Sequence, residues 1–447
     1  MSASPRGVSG AAVRSALSSL GADGRARVLA AVARRFSDLD LAEEMVQEAM
    51  VQALRTWGRD GVPEVPEAWL VAVAKRRGID VLRRDQARAR LIPRLGALQG
   101  RGPVSAEVVD PAEGVLERDC SAVPDERLGL FFACAHPMLK PEERIALTLR
   151  FLAGLSTAEV AHGLLVSVPT MQQRLVRAKR RIRALGISFD VPSRQLVPER
   201  LAAVQRVVYL LFAEGFARSG GQVHVRDDLT EEAIRLARVL RRLLPGSAET
   251  AGLLSLLLLT QARRPARLDQ AGSPVPLAEQ DRDRWEGRLI AEGLELAERA
   301  AAAPGAGSYT IQAAIAAVHV EAADVESTDW PQIVALYRML ETYESSPVVR
   351  LGRAVAWGRA RGVEEGLAQL EDLVGDPALE RFRPFHIARA VTLEEIGDAE
   401  AAAAAYRRAL ELPGNEAESE FLSSALLGVE KAHSGKSSAC EGQRRTR

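Results

Sequence analysis

Two kinds of polar residue stand in this sequence at spacings that chemistry can use. The first is a basic run: six lysines or arginines and no acid lie between Arg174 and Arg183, with Gln172 and Gln173 just ahead of them. Guanidinium and ammonium groups bind phosphate oxygens, and arginine and glutamine also read base edges. That chemistry is recognition of a polyanion, without bond-making; the bland alternative is a solvated basic face. The second kind is a set of carboxylate and arginine blocks carrying Glu214, Glu232, Arg263, Arg267, Asp269, Asp281 and Arg282. No nucleophile–base pairing or metal-ligand spacing accompanies them, so they are read as ion pairs joining helices rather than as an active site. Cys134 and His136 are close in sequence, but two ligands do not make a metal site. No cofactor or metal is expected.

The basic run is positioned by the stretch Leu155 to Leu185. Ser156 and Glu159 have the spacing of a capping box. Val160, Leu164 and Leu165 follow at helical spacing, and Val166 to Pro169 is expected to break the helix. Thr170 then starts a second helix. On it Met171, Leu175, Ala178 and Ile182 form one apolar stripe. The other faces carry Gln172, Gln173, Arg174, Arg177, Lys179, Arg180, Arg181 and Arg183. A short helix, a turn and a basic helix make a helix-turn-helix, whose second helix enters the DNA major groove.

The chain has 447 residues, enough for two to four domains, and its 47% hydrophobic content supports packed cores. Few aromatics and much alanine, leucine, arginine and glutamate favour an all-α fold. Net charge is zero but unevenly placed: Lys75 to Arg90 is basic, and Asp38 to Glu48 has acids and no base. Three cysteines make no disulfide framework, which suits a reducing cytoplasm. No signal peptide opens the chain. The longest apolar run, Leu253 to Leu259, is too short for a membrane span and reads as a buried helix, so no membrane partner is expected.

Residues 1–20 read as a loose tail. Val28, Leu29, Val32 and Phe36 then share a helical face. Asp40 is placed to cap the next helix, with Glu43 at its third position. That helix, Leu41 to Trp57, is expected to bury Leu41, Met45, Ala49 and Leu54 and to expose Glu43, Glu44, Gln47 and Glu48. A further helix from Pro66 turns Trp69, Leu70, Val73, Ile79 and Leu82 inward and Lys75, Arg76, Arg77, Arg83, Arg84 and Arg88 outward. Leu95 to Val123 is rich in glycine and proline and reads as a linker. Helices resume from Pro124 to Leu152.

Residues 24–188 resemble a bacterial RNA polymerase sigma factor of the extracytoplasmic-function type. The acidic D-x-A-E-(D/E)-x-x-Q-(E/D) helix of that family is met by Asp40, Ala42, Glu43, Glu44, Gln47 and Glu48. Its W-L-x-x-(I/V)-A-(R/K)-N and D-x-(L/I)-R-R segments are met by Trp69, Leu70, Val73, Ala74 and Lys75, then Asp80, Leu82, Arg83 and Arg84, with Arg76 in place of asparagine. The fourth-domain pattern is met by Leu155, Ser156, Glu159, Val160, Ala161, Thr170, Met171, Arg174, Leu175, Arg177 and Ala178. The resemblance implies a second sigma domain at 21–92, a linker at 93–123 and a fourth sigma domain at 124–188. It implies that Asp40, Glu43, Glu44, Gln47 and Glu48 dock on core RNA polymerase. Lys75, Arg76, Arg77, Arg83 and Arg84 would meet the −10 region of promoter DNA. Thr170, Gln172, Gln173, Arg174, Arg177, Lys179 and Arg180 would meet the −35 element.

The second half, 189–433, is helical throughout, before a tail at 434–447. Ala390, Leu393, Gly397, Ala402, Tyr406, Ala409 and Pro413 follow tetratricopeptide spacing, and weaker helix pairs appear around Trp330 to Trp357 and Gly362 to Leu373. This half resembles the extension of a distinct sigma-factor subgroup. Its Y-L-x-F-N-E-G-(Y/F) segment is met by Tyr209, Leu210, Phe212, Glu214, Gly215 and Phe216, with Ala213 for asparagine. Leu229 to Leu240 and Ala262 to Gly293 meet two further blocks. An extension of this kind is expected to regulate the sigma half in cis through Tyr209, Phe212, Glu214 and Phe216, or through a protein or peptide partner. The rival readings are a tetratricopeptide adaptor with a vestigial sigma half and, more distantly, an enzyme built on the polar blocks.

Overall fold

A computed structural model describes residues 10–97, 126–164, 166–193, 195–216, 227–270 and 272–444. The fold is all-α, with no strand among the described residues. The chain divides into two compact units, Met1–Val207 and Val208–Arg447.

The first unit opens with α1 (Gly10–Ser19), where a loose tail is expected from sequence. Val13 is the one residue it buries, with Leu17 and Leu20 half-buried four and seven residues on, a period too short to stand out among small polar residues. Helix α2 (Gly21–Phe36) ends at Ser37, which takes the left-handed conformation with φ 53°. Asp38, not Asp40, caps α3 (Leu39–Asp60). Its carboxylate accepts the amides of Asp40 at 2.9 Å and Leu41 at 3.2 Å. A cap needs extended backbone; Asp38 has it, and Asp40 is already helical. The buried stripe of α3 runs through Ala42, Met45, Val46, Ala49, Ala53 and Trp57. Leu54, expected inside, lies one residue off that stripe and is 48% exposed. Helix α4 (Pro66–Ala97) packs on α2 and α3. Trp69 meets Trp57 edge to face at 5.3 Å, and Arg27 of α2 grips Glu67 with two hydrogen bonds of 2.9 and 2.5 Å. Helix α4 continues through 93–97, the expected start of the linker, although Pro93 and Gly96 lie there; residues 98–123 of that linker lie outside the described residues.

Four helices follow: α5 (Arg127–Cys134), α6 (Pro141–Phe151), α7 (Thr157–Gly163) and α8 (Val168–Ala184). Gly129 of α5 is required by close approach, because a Cβ there would lie 1.9 Å from the carbonyl oxygen of buried Phe189. Helix α9 (Val197–Phe216) runs from the first unit into the second.

In the second unit, α10 (Asp227–Leu243), α12 (Gly287–Ala302) and α13 (Ser308–Glu321) surround α11 (Ala248–Ala262), which is buried nearly all round. Glu249 of α11 accepts the amides of Gly307, Tyr309 and Thr310 and so caps α13 from outside its own helix. The antiparallel pairs continue with α14 (Trp330–Tyr343), α15 (Pro347–Arg361), α16 (Val363–Glu371), α17 (Arg383–Ile396) and α18 (Ala399–Glu411). Ala390, Leu393, Ala402, Tyr406 and Ala409 form one core, and Gly397 turns between α17 and α18 at φ 88°. Helix α19 (Glu416–Arg444) runs on through the region expected to be a tail from 434.

Candidate nucleic-acid interface

The capping box forms: Ser156 donates its amide to Glu159 Oε2 at 2.7 Å, and the Glu159 amide donates to Ser156 Oγ at 3.2 Å. Those bonds hold the Glu159 carboxyl below the usual carboxylate range. The expected break between two helices forms, α7 ending at Gly163 and α8 starting at Val168, but Pro169 follows the break rather than making it. It sits in the first turn of α8, where its missing amide costs nothing, and Ser167 caps that turn through the Thr170 amide at 3.3 Å. The residues α8 buries are Met171, Leu175, Ala178 and Ile182, the stripe expected from sequence.

That stripe fixes what α8 presents outward. Thr170, Gln172, Gln173, Arg177 and Arg180 are exposed, and Arg174 is half-buried. Arg177 donates to Gln173 Oε1 at 3.2 Å, which lines the two up along one face. The C-terminal part of the basic run is engaged. Lys179 pairs with Asp40 and lies 3.6 Å from Glu43. Arg181 reaches Glu143 at 3.3 Å, and Arg183 reaches Asp38 at 2.6 Å and Asp40 at 3.2 Å.

On α4, Arg76, Arg77, Arg83 and Arg84 are exposed and Lys75 is half-buried. On α3, Glu44, Gln47 and Glu48 are exposed, whereas Asp40 and Glu43 face the basic side chains just named. Glu43 also accepts from Arg150 of α6. Burial raises the Asp38 carboxyl, but the Arg183 guanidinium and the Leu41 and Asp40 amides outweigh it and leave the group below its usual range. Sequence reasoning missed Arg150, Arg183 and Asp38 as partners in this cluster. No local signal marks them, since the pairs are separated by 107 and 145 residues.

The polar blocks of the second unit divide into two behaviours. Of the seven residues expected to pair between helices, Glu232 pairs with Arg235 of its own helix, while pairs between elements are made by other residues nearby, Arg238 with Glu292 and Arg264 with Asp227. Arg263, Arg267 and Arg282 instead lie over aromatic rings and donate to neutral oxygens. Arg267 is 3.8 Å from the Phe216 ring centre and donates to the Phe216 carbonyl at 2.7 Å. Arg263 and Arg282 both face Trp285, at 5.6 and 4.5 Å. Burial, with the neighbouring arginines, lowers Arg263 and Arg267 to about 10, and burial with Arg263 and Arg282 nearby lowers His319 to about 4. Tyr209 lies 5.9 Å from Tyr309, and Phe212 stacks on Phe216 at 5.4 Å, all within the second unit. Glu214 is half-buried.

An acidic helix, a basic helix and a capped helix-turn-helix thus lie in one unit, an arrangement suited to a DNA-binding protein. The chain matches the family described as Sigma-70 region 2 over residues 24–88 and Sigma-70 region 4 over residues 132–182. Residues 200–301 match a family of unknown function, DUF6596. Over 398 residues the chain is 41% identical to a protein of Rhizobium meliloti described as uncharacterized, covering 89% of this chain and 92% of that one. It is 32% identical to the ECF RNA polymerase sigma factor SigK of Mycobacterium ulcerans, over 35% of this chain and 78% of that protein. It is 31% identical to the probable ECF RNA polymerase sigma factor SigI of Mycobacterium tuberculosis, over 36% and 52%. No solved structure matches. The chain therefore belongs to the ECF RNA polymerase sigma factors, with a long helical C-terminal extension. Its role is transcription initiation, and core RNA polymerase and promoter DNA are its partners. No helix among the described residues is long and apolar enough to cross a membrane.

Proposed function

We propose that α8 contacts the −35 element, α4 the −10 region, and the acidic face of α3 core polymerase, in the cytoplasm. The observation that carries this reading is the geometry of α8. Burial of Met171, Leu175, Ala178 and Ile182 leaves an outward surface of glutamine and arginine, on a helix with no acid. Gln172 and Gln173, near the helix start, are the base-reading candidates, and Arg174, Arg177, Lys179 and Arg180 hold phosphates. On α3, Glu44, Gln47 and Glu48 form an exposed strip that repels phosphate and suits a basic protein surface. The test is promoter binding against salt. An R174A/R177A/K179A variant is expected to bind more weakly across sequences, with the salt slope reduced by about one unit per lost phosphate contact. An unchanged slope overturns the assignment.

The extension is proposed to regulate the sigma half. Its support is a second unit with its own cores, too extensive to be a tail. Stacked helix pairs of this kind expose a concave surface, which favours a peptide or protein partner for this half. Transcription by a chain ending near Arg194 separates the signs: lost activity with polymerase binding intact supports a required role, and raised activity supports masking. Activity equal to that of the full chain, with and without cell extract, overturns regulation in cis.

A further inference from the structure

Arg263, Arg267 and Arg282 bring positive charge into the second unit without a carboxylate to meet it. None of the three has an ion pair among the described residues. The acids of the same sequence blocks are used in turns: Asp269 accepts the Ser273 amide at 2.8 Å, and Asp281 the Asp283 amide at 3.1 Å. Asp324 and Glu326, both exposed, act on Arg282 only from a distance, and Glu418, which acts on Arg267, is already paired with Arg383 at 3.2 Å. Four donors here are buried and have no hydrogen-bond partner among the described residues: Arg263 Nε, Arg282 Nη2, Trp285 Nε1 and His319 Nδ1. They come from three elements, the end of α11, the turns before α12 and the last turn of α13. Those elements meet at Trp285, whose ring faces Arg263 and Arg282 at 5.6 and 4.5 Å, while Arg282 Nη1 donates to the His319 carbonyl at 2.8 Å. A donor that has left water without gaining an acceptor costs free energy, as do like charges held together, and a bound ion is one physical answer to both. Gln261 Oε1, two residues before Arg263, is an orphaned acceptor, but one neutral oxygen balances none of the charge.

We propose that this corner binds a compact, doubly charged oxyanion, inorganic phosphate or sulfate, with Arg263, Arg282, Trp285 and His319 donating to its oxygens. The charge sets the class: guanidinium groups without carboxylates call for more than one negative charge, which neither water nor chloride supplies. A tetrahedral oxyanion also offers oxygens to donors that arrive from three elements. Because the donors are enclosed, an ion fits where a nucleotide does not. Burial, then Arg263 and Arg282, keep the His319 imidazole neutral at pH 7, and a neutral imidazole can hold its proton on Nδ1 and donate it. The donors already bonded stay as they are, and the ion takes only the spare ones. It thereby ties α11, α13 and the turns before α12 together, and makes the stability of the second unit depend on anion concentration. Arg263, Arg267, Arg282 and Trp285 fall within residues 200–301, so the site gives a ligand to the part of the chain matched by a family of unknown function.

The test is calorimetric binding of inorganic phosphate to the full chain, at neutral pH and in chloride of fixed ionic strength. One saturable site per chain is expected. Arg263→Gln is expected to weaken it at least about tenfold. Arg238→Gln removes an equal charge from α10, where the pair with Glu292 is about 40% exposed, and is expected to change binding less than about twofold. No saturable site in the parent chain, or equal losses in the two variants, overturns the proposal. Sulfate is expected to compete with phosphate and adenosine monophosphate is not; competition by the nucleotide at equal concentration overturns the enclosed ion. A second measurement uses the parent chain alone, so it stands even where Arg263→Gln fails to fold. The nitrogen resonances of His319, assigned by their loss in His319→Gln, are expected to shift with the calorimetric midpoint as phosphate is added. His319 resonances that stay fixed while the site fills place the ion elsewhere and overturn the assignment.

Discussion

Three arginines of the second half do work that those of the first half do not. In the first unit arginine meets carboxylates of distant helices through half-exposed pairs, as Arg34 and Arg183 do. In the second, Arg263, Arg267 and Arg282 are drawn over Trp285 and Phe216 and bonded to neutral oxygens. An ion pair near water is a contact that another charge can replace. An arginine stacked on a buried ring, with its donors on carbonyls, is part of the fold and has nothing to exchange. The half-exposed pairs of Arg34 and Arg183 are thus open to exchange, as are Arg238, Arg359 and Arg407 in the second half, whereas Arg263, Arg267 and Arg282 hold helices together.

The sharpest way to break that contrast is at Trp285, which is 7% exposed and faces two guanidinium groups. Trp285→Ala is expected to destabilise the second unit by about 3–5 kcal/mol, seen as an early thermal transition with the first unit's melting unchanged. A loss under about 1 kcal/mol would mean that the stack is ornamental. Arg282→Lys is expected to fail as a replacement. An ammonium cannot lie flat on the indole and still donate to the carbonyls of His319 and Ala322.

The first unit has its own rigid point, so the contrast is not one of soft against hard. At Gly129 an added methyl meets the backbone oxygen of Phe189, which no rotamer change relieves. Gly129→Ala is expected to cost about 1–3 kcal/mol in the first unit, measured by denaturant titration. Arg34→Ala removes two pairs at once: the one with Asp190 is exposed, but Glu126 keeps only 13% of its side chain exposed, so a loss of about 1–2 kcal/mol is expected. A larger loss would place Arg34 with the locked arginines of the second half.

The elements were largely legible because periodicity is local. The α8 stripe, the Ser156 capping box and the α17–α18 pair all depend on residues within a turn or two of each other. Leu54 was misplaced by one position because α3 is long enough for its stripe to drift around the helix. The α1 helix escaped because Val13, Leu17 and Leu20 make too short a period to stand out among alanine and serine. What could not be read was pairing at a distance. Nothing near Lys179 in sequence says that Asp40 is its partner, and nothing near Arg267 says that its ring is Phe216 rather than that its charge meets Asp269. The polar blocks looked alike as strings; the fold sends some to carboxylates and others to aromatic faces.

The smallest effect separates the halves by pH. His136 in the first unit and His319 in the second are both lowered to about 4, chiefly by burial and then by nearby arginines. Their folded values lie below the unfolded one, so each adds stability present above about pH 6.5 and lost as pH falls toward 4. Both units should therefore weaken over that window. Asp38 and Asp190 are held below the usual carboxylate range, Asp38 against its own burial by Arg183 and backbone amides, Asp190 by Arg34 and Ser188. Depressed carboxyls add stability that is intact above their unfolded value, about 3.9, and lost only as pH falls through the lower folded value. Acid unfolding of the first unit is therefore expected to begin between about pH 6.5 and 4, as His136 takes up a proton, and to steepen below about 4, as Asp38 and Asp190 do. Asp38→Asn is expected to leave the first step in place and to weaken the second; an unchanged second step would mean that the Asp38 pair adds nothing.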